Sequence, residues 1–296
     1  MQQHISITCL GGDARSRALA ARLSSLGAQI TTWGLFDEGE DPRIEVAATV
    51  REALGACRCV ILPMPAFDSE GRLMCARSGA GGPCVSAEWL LSHVDPGTCV
   101  YGGLLSEQVC AMAQARDIRL LDYAAMEEVQ VLNAVPTVEG ALCLAMQALD
   151  VTLWRARVAV LGYGRIGALL AERLGQMGAF VTVAARKSRD VARAEVAGHR
   201  ALWMKGETSL APLTTGFDVI FNTIPSRVLS PTLMKKMPRE TVMIELASRP
   251  GGWDPEGEMS CRAIYAPGLP AKHTPITAGK ILADCLWPLL KEGSVQ

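Results

Sequence analysis

The sequence has few of the features that metal centres, membrane spans and nucleic-acid surfaces require. Its four histidines lie far apart along 296 residues, without the short spacings that metal ligands show. No apolar run approaches the roughly 18 residues of a transmembrane helix, and no signal-peptide pattern is present, so we expect no membrane contact. Aromatic residues make up 5% of the chain and its formal charge is −1, which gives no basis for nucleic-acid binding.

Informative cysteine spacing is also missing. Ten cysteines are present but scattered, and the closest pair, Cys57 and Cys59, is not a C-x-x-C pair. Scattered thiols are typical of a reducing compartment. We therefore expect a cytoplasmic protein with free, mostly buried thiols.

Short apolar segments alternate with amphipathic helical patterns through most of the chain, which predicts parallel sheets covered by helices. The predicted strands cover 5–10, 29–34, 59–64, 99–103, 118–123, 157–162, 180–185, 201–204, 218–224, 241–246 and 263–268. The predicted helices of the first half cover about 14–26, 50–57, 86–94 and 106–116, with an acidic loop before 50 and an exposed Gly-rich loop over 71–82. The fold class is therefore α/β, with two doubly wound, Rossmann-like domains and a cleft between them.

A glycine loop follows the strand over 157–161. It has the pattern G-x-G-x-x-G and comprises Gly162, Tyr163, Gly164, Arg165, Ile166 and Gly167. An amphipathic helix and another strand come after it, which is the context of a dinucleotide-binding loop. There the glycines permit a tight turn, close approach of the pyrophosphate and close helix packing, and the helix N-terminus attracts phosphate.

The end of the strand over 180–185 predicts which dinucleotide binds. Enzymes specific for NAD place an acidic residue there to accept hydrogen bonds from the ribose 2′-hydroxyl. This chain has Ala185, followed by Arg186, Lys187 and Ser188. Arginine binds phosphate in a bidentate way, so we predict NADP, with NAD less favoured. The alternative is a solvated loop that does not discriminate between the two.

Polar residues and glycines also follow two later strands. Ligands of doubly wound sheets lie beyond the carboxyl ends of the strands, so we expect these residues to border the cofactor. They are Asn222, Thr223, Ile224 and Pro225 after one strand, and Glu245, Leu246, Ala247 and Ser248 after the next. Ordinary turn chemistry explains each segment equally well when it is taken alone.

Three domain assignments follow. Residues 1–130 are predicted to form an α/β domain that binds substrate or partner, 131–150 an interdomain helix, and 151–276 an NADP-binding Rossmann domain. Pro136 suits an early position in the interdomain helix, because the first N–H groups of a helix are unpaired. A last helix over 277–291 is expected to pack back on the first domain.

Seven segments occur in one order across nearly the whole chain: GGDARS, ILPMP, LNAVPTVEGA, VLGYGRIG, FNTIP, IELASRPGG and APGLP followed by TAGKILA. Together they resemble the dipicolinate synthase A-subunit family of spore-forming bacteria, with VPTVEGA and ELASRPGG as the most specific parts. The layout is more distantly similar to D-2-hydroxyacid and alanine dehydrogenases.

The resemblance implies a reaction and a partner. Members of the family convert 4-hydroxy-tetrahydrodipicolinate of the lysine pathway to dipicolinate by loss of water and two electrons, with NADP as hydride acceptor. They work with a flavoprotein-like B-subunit in the cytoplasm of the mother cell during sporulation. A homo-oligomer is compatible with the sequence.

A dicarboxylate substrate requires cations or oriented donors. The candidates for substrate binding are Asp13, Arg15, Asn133, Thr137, Arg249 and Lys272. The candidates for proton transfer are Glu139, Glu245 and His273, of which none stands out as the base. Aromatisation supplies a large driving force, so orientation and hydride transfer alone are an alternative.

Two other functions fit the same pattern. One is an NADP-dependent dehydrogenase or reductase of another small oxo- or hydroxy-acid. The other is a dinucleotide-binding regulatory protein whose partner performs the chemistry.

Overall fold

Each half of the chain forms a parallel six-stranded sheet covered by helices. The computed structural model describes residues 5–55, 57–75 and 84–293. The chain divides into two compact units: unit 1 comprises Met1–Asn133 with Thr274–Gln296, and unit 2 comprises Ala134–His273. The predicted α/β class with two Rossmann-like sheets is confirmed.

Unit 1 has the strand order β3-β2-β1-β4-β5-β6. Its strands are β1 (Ser6–Leu10), β2 (Gln29–Trp33), β3 (Ile44–Val46), β4 (Cys59–Ile61), β5 (Cys99–Gly102) and β6 (Arg119–Asp122). Its helices are α1 (Ala14–Ser25), α2 (Val50–Leu54), α3 (Ala87–Ser92), α4 (Glu107–Gln114) and α10 (Pro275–Gly293), with a 3-10 turn over Tyr123–Ala125. Apolar side chains of the strands alternate between two cores, one under α1 and α10 and the other under α2, α3 and α4.

Helix α10 packs directly on α1. A Cβ atom at Gly279 would lie 2.2 Å from the carbonyl oxygen of Arg15, so only glycine permits this approach. An ion pair between Arg22 and Asp284, at 2.8 Å, joins the exposed sides of the two helices. Leu282 and Leu286 of α10 are buried in the unit 1 core.

Unit 2 repeats the topology, with the order β12-β11-β10-β7-β8-β9. Its strands are β7 (Arg157–Leu161), β8 (Phe180–Ala185), β9 (Arg200–Trp203), β10 (Val219–Asn222), β11 (Val242–Glu245) and β12 (Arg262–Tyr265). Its helices are α6 (Arg165–Gln176), α7 (Ser188–Val196), α8 (Pro231–Lys236) and α9 (Leu269–His273), with a 3-10 segment over Glu207–Thr214.

Helix α5 (Glu127–Ala148) joins the two units in sequence. The expectation that Pro136 lies early in this helix is wrong, because the helix begins at Glu127 and contains the proline in its interior. Acidic residues in its first turn favour the earlier start. Buried Ala134, Val138 and Ala141 anchor the helix on both sides of the proline, so it continues despite the lost hydrogen bond.

Two segments of unit 1 differ from the sequence-based expectation. Strand β3 lies in the predicted acidic loop; it is three residues long and buries only Ile44, which is too short a pattern to recognise. In the predicted Gly-rich loop, residues 76–83 lie outside the described residues. Isolated bridges pair Phe67 with Leu73 and Arg72 with Ser86 in the part that is described.

Within the described residues, one helix, α5, is long and apolar enough to cross a membrane by length and composition. This is weak evidence, because core helices pass the same test. In the same part of the chain, no group of three or more His, Cys, Asp or Glu side chains is placed to hold a metal ion.

Candidate active site

The first and third glycines of the loop after β7 are required by close packing. Gly162 has a φ of 98°, and a Cβ atom there would lie 2.3 Å from Thr223 Oγ1. A Cβ atom at Gly167 would lie 2.2 Å from the carbonyl oxygen of Gly162. Thr223 Oγ1 in turn donates a 2.8 Å hydrogen bond to the carbonyl of Leu161. The loop is therefore fixed against the end of β10.

The middle glycine faces open space. A Cβ atom at Gly164 would meet no atom within 4 Å. Gly164 is the N-cap of α6 and has no side chain to cap the helix. The first N–H groups of α6 therefore lie at an open surface. Arg165 is exposed in the first turn. Tyr163 is buried, which raises the pKa of its phenol and keeps it neutral. Ile166 packs against the core.

Positive charge lies at the end of β8, where an acidic residue is absent. Ala185 is buried, and the exposed Arg186 follows it, with Nη1 3.4 Å from Ser226 Oγ. Lys187 is exposed and is the N-cap residue of α7, but its side chain makes no capping hydrogen bond. Helix α7 begins at Ser188. Sequence reasoning missed Ser226, because it is distant in the chain and no local pattern marks it.

The indole of Trp203 fixes the backbone beside Arg186. Its Nε1 donates a 3.2 Å hydrogen bond to the Arg186 carbonyl. Lys205 Nζ lies 3.7 Å from the centroid of the Trp203 ring and adds a second cation to this corner.

Asn222 and Glu245 form a buried pair at the ends of β10 and β11. The two residues are register partners in neighbouring strands, and Asn222 Nδ2 donates a 2.7 Å hydrogen bond to Glu245 Oε1. Asn222 also bonds the backbone of Ile224 in both directions, at 3.0 and 3.1 Å. The segment that continues to exposed Pro225 is thereby fixed.

The Glu245 carboxylate also organises the loop after β11. It accepts hydrogen bonds from the N–H groups of Ala247 at 3.0 Å and Gly252 at 2.7 Å. The residue is 1% exposed, and burial raises the pKa of its carboxyl group, although the bonds from Gly252 and Asn222 lower it. Its oxygens thus hold the loop that carries half-buried Leu246 and exposed Ser248.

The segment over 249–252, which we call the RPGG segment, requires both of its glycines. A Cβ atom at Gly251 would lie 2.6 Å from the Tyr265 hydroxyl and 2.9 Å from Glu245 Oε2. A Cβ atom at Gly252 would lie 2.5 Å from Asn222 Nδ2. Arg249, just before these glycines, is exposed.

Helix α5 and the segment after β12 meet at Gly140. A Cβ atom at Gly140 would lie 2.9 Å from the Leu269 Cβ and 3.3 Å from the His273 Cδ2. His273 is therefore half-buried against α5. The other candidates on these helices are placed differently: Thr137 is buried, Asn133 is half-buried, and Glu139 and Lys272 are exposed.

The candidates in unit 1 form an ion pair. Asp13 caps α1 by accepting a 2.9 Å bond from the Arg15 N–H, and its carboxylate is 2.7 Å from Arg15 Nη2. Arg15 Nη2 also donates to the carbonyl of Met64, and its side chain is 12% exposed. Partial burial alone would raise the pKa of Asp13, but the Arg15 guanidinium holds it below its usual value.

Comparison with known proteins gives relatives that match along nearly the whole chain. Residues 6–124 match the family model of the N-terminal domain of the dipicolinate synthase A-subunit. The chain is 34% identical to the dipicolinate synthase A-subunit of Bacillus subtilis (strain 168), over 97% of this chain and 96% of the relative.

Solved structures show the same similarity. The dipicolinate synthase A-subunit from Bacillus subtilis superimposes with a TM-score of 0.87 at 30% identity, over 100% of this chain and 98% of that one. The corresponding protein from Bacillus halodurans gives 0.87 at 30% identity, over 97% of both chains. An L-alanine dehydrogenase shares the fold, with a TM-score of 0.68 at 12% identity over 99% of this chain and 90% of that one.

Proposed function

Because this chain belongs to the dipicolinate synthase A-subunit family, we propose that it is an NADP-linked oxidoreductase that forms dipicolinate from 4-hydroxy-tetrahydrodipicolinate. The observation that supports this most is the open glycine loop of unit 2, which lies on the same sheet as the Arg186 and Ser226 pair. Together they match the two anionic parts of an NADP molecule, the pyrophosphate that links its two nucleosides and the 2′-phosphate on its adenosine ribose.

The residues of unit 2 fit a dinucleotide. Gly164 leaves space where a pyrophosphate approaches the start of α6, and as the N-cap residue it makes no side-chain hydrogen bond to the N–H groups there. A 2′-phosphate would be held by Arg186, with Ser226 and the uncapped N-terminus of α7 beside it. The buried Ala185 leaves no carboxylate to repel it. When bound, the cofactor supplies the acceptor for one hydride.

The reaction balances with this acceptor. 4-Hydroxy-tetrahydrodipicolinate loses its hydroxyl group and a neighbouring proton as water. One hydride then passes to NADP and one proton to solvent, and the ring becomes aromatic. The protein must bind two carboxylates, orient the ring carbon toward the acceptor and manage the protons.

The candidate residues divide into positioning and binding groups. Glu245 and Asn222 hold each other and the Ala247–Gly252 backbone, so we assign them to positioning the loops around the nicotinamide. Exposed Arg249 and Lys272 are the cations of unit 2 assigned to substrate carboxylates. In unit 1 we assign Arg15 to the same task, with Asp13 setting its orientation.

Proton transfer is assigned to His273 or Glu139, which differ in environment. His273 lies half-buried against Gly140, whereas Glu139 is exposed. A histidine has the intrinsic pKa range for acid–base work near neutral pH. The protein would act in the cytoplasm of a sporulating cell, together with the flavoprotein-like B-subunit, since the name of its relative implies a multi-subunit enzyme.

The test is a coupled measurement of the two products. Purified chain is mixed with 4-hydroxy-tetrahydrodipicolinate and NADP, with and without the B-subunit from the same organism. We expect NADPH absorbance to increase in a one-to-one ratio with dipicolinate. NADPH formation from other hydroxy-acids but not from this substrate would instead identify a different dehydrogenase. NADP binding without turnover under either condition would identify a regulatory protein.

A further inference from the structure

An exposed apolar surface lies at the amino ends of β7 and β8 in unit 2. It comprises Val151, Trp154, Met177 and Phe180, which are 54%, 59%, 38% and 62% exposed. We call it the amino-end patch. None of these side chains belongs to the glycine loop, the RPGG segment or the corner around Arg186, so the proposed reaction leaves the patch unexplained.

Backbone hydrogen bonds join the two segments that carry the patch. The Arg155 N–H donates a 2.8 Å bond to the Gly178 carbonyl, and the Phe180 N–H donates a 2.8 Å bond to the Ala156 carbonyl. The Trp154 ring lies flush on Gly178, where a Cβ atom would be 2.6 Å from its Cδ1. Trp154 therefore lies beside the Met177–Phe180 segment.

Two arginines lie beside the patch, and the exposed Asp150 precedes Val151 in the chain. Arg155 Cζ lies 4.2 Å from the Trp154 ring centroid, and its left-handed backbone, with a φ of 62°, is an unusual conformation for a non-glycine residue. Arg157 stacks on Phe217, and with Phe180 and Arg200 it lines an open groove of about 1010 Å³. Glu172 is the one acidic side chain among the groove residues that the structure describes.

This composition is that of a protein interface. Tryptophan, phenylalanine, methionine and arginine are enriched where proteins bind each other, and single tryptophan and arginine residues often supply most of the affinity. Scattered exposed apolar residues need no explanation, but a contiguous group with a cationic rim does.

We infer that the amino-end patch binds the flavoprotein-like partner through a surface with apolar side chains and an acidic rim. This inference rests on the proposed function, which supplies the partner. A second copy of this chain is a worse occupant. A two-fold contact would bring the Arg155 and Arg157 rim of one copy against the same rim of the other.

The location suits a partner that works with a bound cofactor. The patch lies at the amino ends of β7 and β8, and the glycine loop lies at the carboxyl end of β7. A five-residue strand separates the two by roughly 15 Å. Docking at the patch therefore leaves the dinucleotide site accessible.

The test uses purified B-subunit from the same organism and measures its affinity for the full chain by biolayer interferometry. Phe180→Thr replaces an exposed ring with a β-branched side chain that suits the start of β8, and Arg155→Glu reverses one rim charge. We expect each variant to weaken binding by at least about tenfold. The matched controls, Ile276→Thr and Arg116→Glu, change exposed residues of unit 1 and should bind like the wild type.

Two further measurements make the outcome decisive. NADP affinity and the thermal midpoint should stay unchanged in both patch variants. A loss of B-subunit affinity that is found only together with a lower thermal midpoint would overturn the inference. Binding of the B-subunit that is equal in wild type and variants would overturn the inference and leave the proposed function intact. A wild type that does not bind the B-subunit would overturn the inference and contradict the partner named in the proposed function, but not the proposed reaction. A wild-type dimer that Phe180→Thr dissociates would assign the patch to self-association instead.

Discussion

The first loop of unit 1 and the first loop of unit 2 occupy the same place in the same topology. Each follows the central strand next to the point where strand order reverses, and each begins a 12-residue helix. In unit 1 the helix is capped by the carboxylate of Asp13, and Arg15 neutralises that carboxylate. In unit 2 the cap is Gly164, which offers no side chain and leaves the space open.

The difference shows how one topology provides a helix start that is open to a phosphate in one unit and a helix start that is capped by its own carboxylate in the other. A helix N-terminus attracts negative charge. Unit 1 satisfies that attraction with its own Asp13, so a phosphate would meet a carboxylate there. In unit 2 the N-cap residue Gly164 makes no side-chain hydrogen bond to the helix start, so a phosphate can approach its N–H groups. The two loops differ in this property because of one side chain at the cap position.

Gly164→Asp should have the largest effect, because it gives the unit 2 loop the cap of unit 1. The new carboxylate would repel the pyrophosphate, and we expect NADP affinity to fall at least about 100-fold, or about 2.7 kcal/mol. The folded protein should be no less stable, because aspartate is a good N-cap. Titration calorimetry and thermal melts measure both quantities.

Gly164→Ala is the matched control, since it adds a Cβ atom to open space without a charge. Its effect on NADP affinity should be much smaller than that of the aspartate. Equal losses in the two variants would show that space, and not charge, is limiting at this loop.

Glu245→Gln tests the carboxylate of unit 2 that is held inside the fold. Glutamine cannot accept from all three donors, so a buried N–H loses its partner, and we expect a loss of about 1–3 kcal/mol of unfolding free energy. Urea unfolding measures it, with the exposed Glu240→Gln as control. A loss equal to that of Glu240→Gln would contradict the positioning role.

The same variant should change the pH dependence of stability. Burial raises the folded-state pKa of Glu245 above its usual value, so the folded state binds the proton more tightly than the unfolded state. The contribution of Glu245 to the unfolding free energy is fully present below the unfolded-state pKa and is lost as pH rises through the folded-state pKa. The wild type should therefore lose stability between these two pKa values, and Glu245→Gln should not.

Asp13→Asn should have the smallest effect and the opposite pH dependence. Asparagine still caps α1, so only the partly exposed pair with Arg15 is lost, at a cost of up to about 1 kcal/mol. The folded-state pKa of Asp13 is lowered, so its contribution is present above the unfolded pKa and is lost as pH falls through the folded pKa. Urea unfolding at pH 7 and in the acid range measures this, with exposed Asp95→Asn as control. A larger loss in acid than at pH 7 would contradict the pairing.

The sequence predicts the fold better than it predicts the side-chain partners. The pattern over 180–185 predicts that strand at its observed bounds, because a short and almost continuous apolar run after a glycine turn is a local signal. The early start of α5 is not predicted, because the pattern around Pro136 is also that of a helix start. Partners such as Asn222 with Glu245, or Arg186 with Ser226, depend on strand register and loop path, which the local sequence does not contain.

The affinity of the chain for NADP relative to NAD, in wild type and in Arg186→Ala, tests the central claim most directly. We predict that the wild type prefers NADP and that the variant loses about 10- to 100-fold in NADP affinity. Its affinity for NAD should change by less than about twofold, because NAD has no 2′-phosphate. Arg189→Ala, which removes an exposed arginine of the same helix start, should leave both affinities unchanged. Equal losses for NADP and NAD in Arg186→Ala, or a wild type that prefers NAD, would contradict the claim.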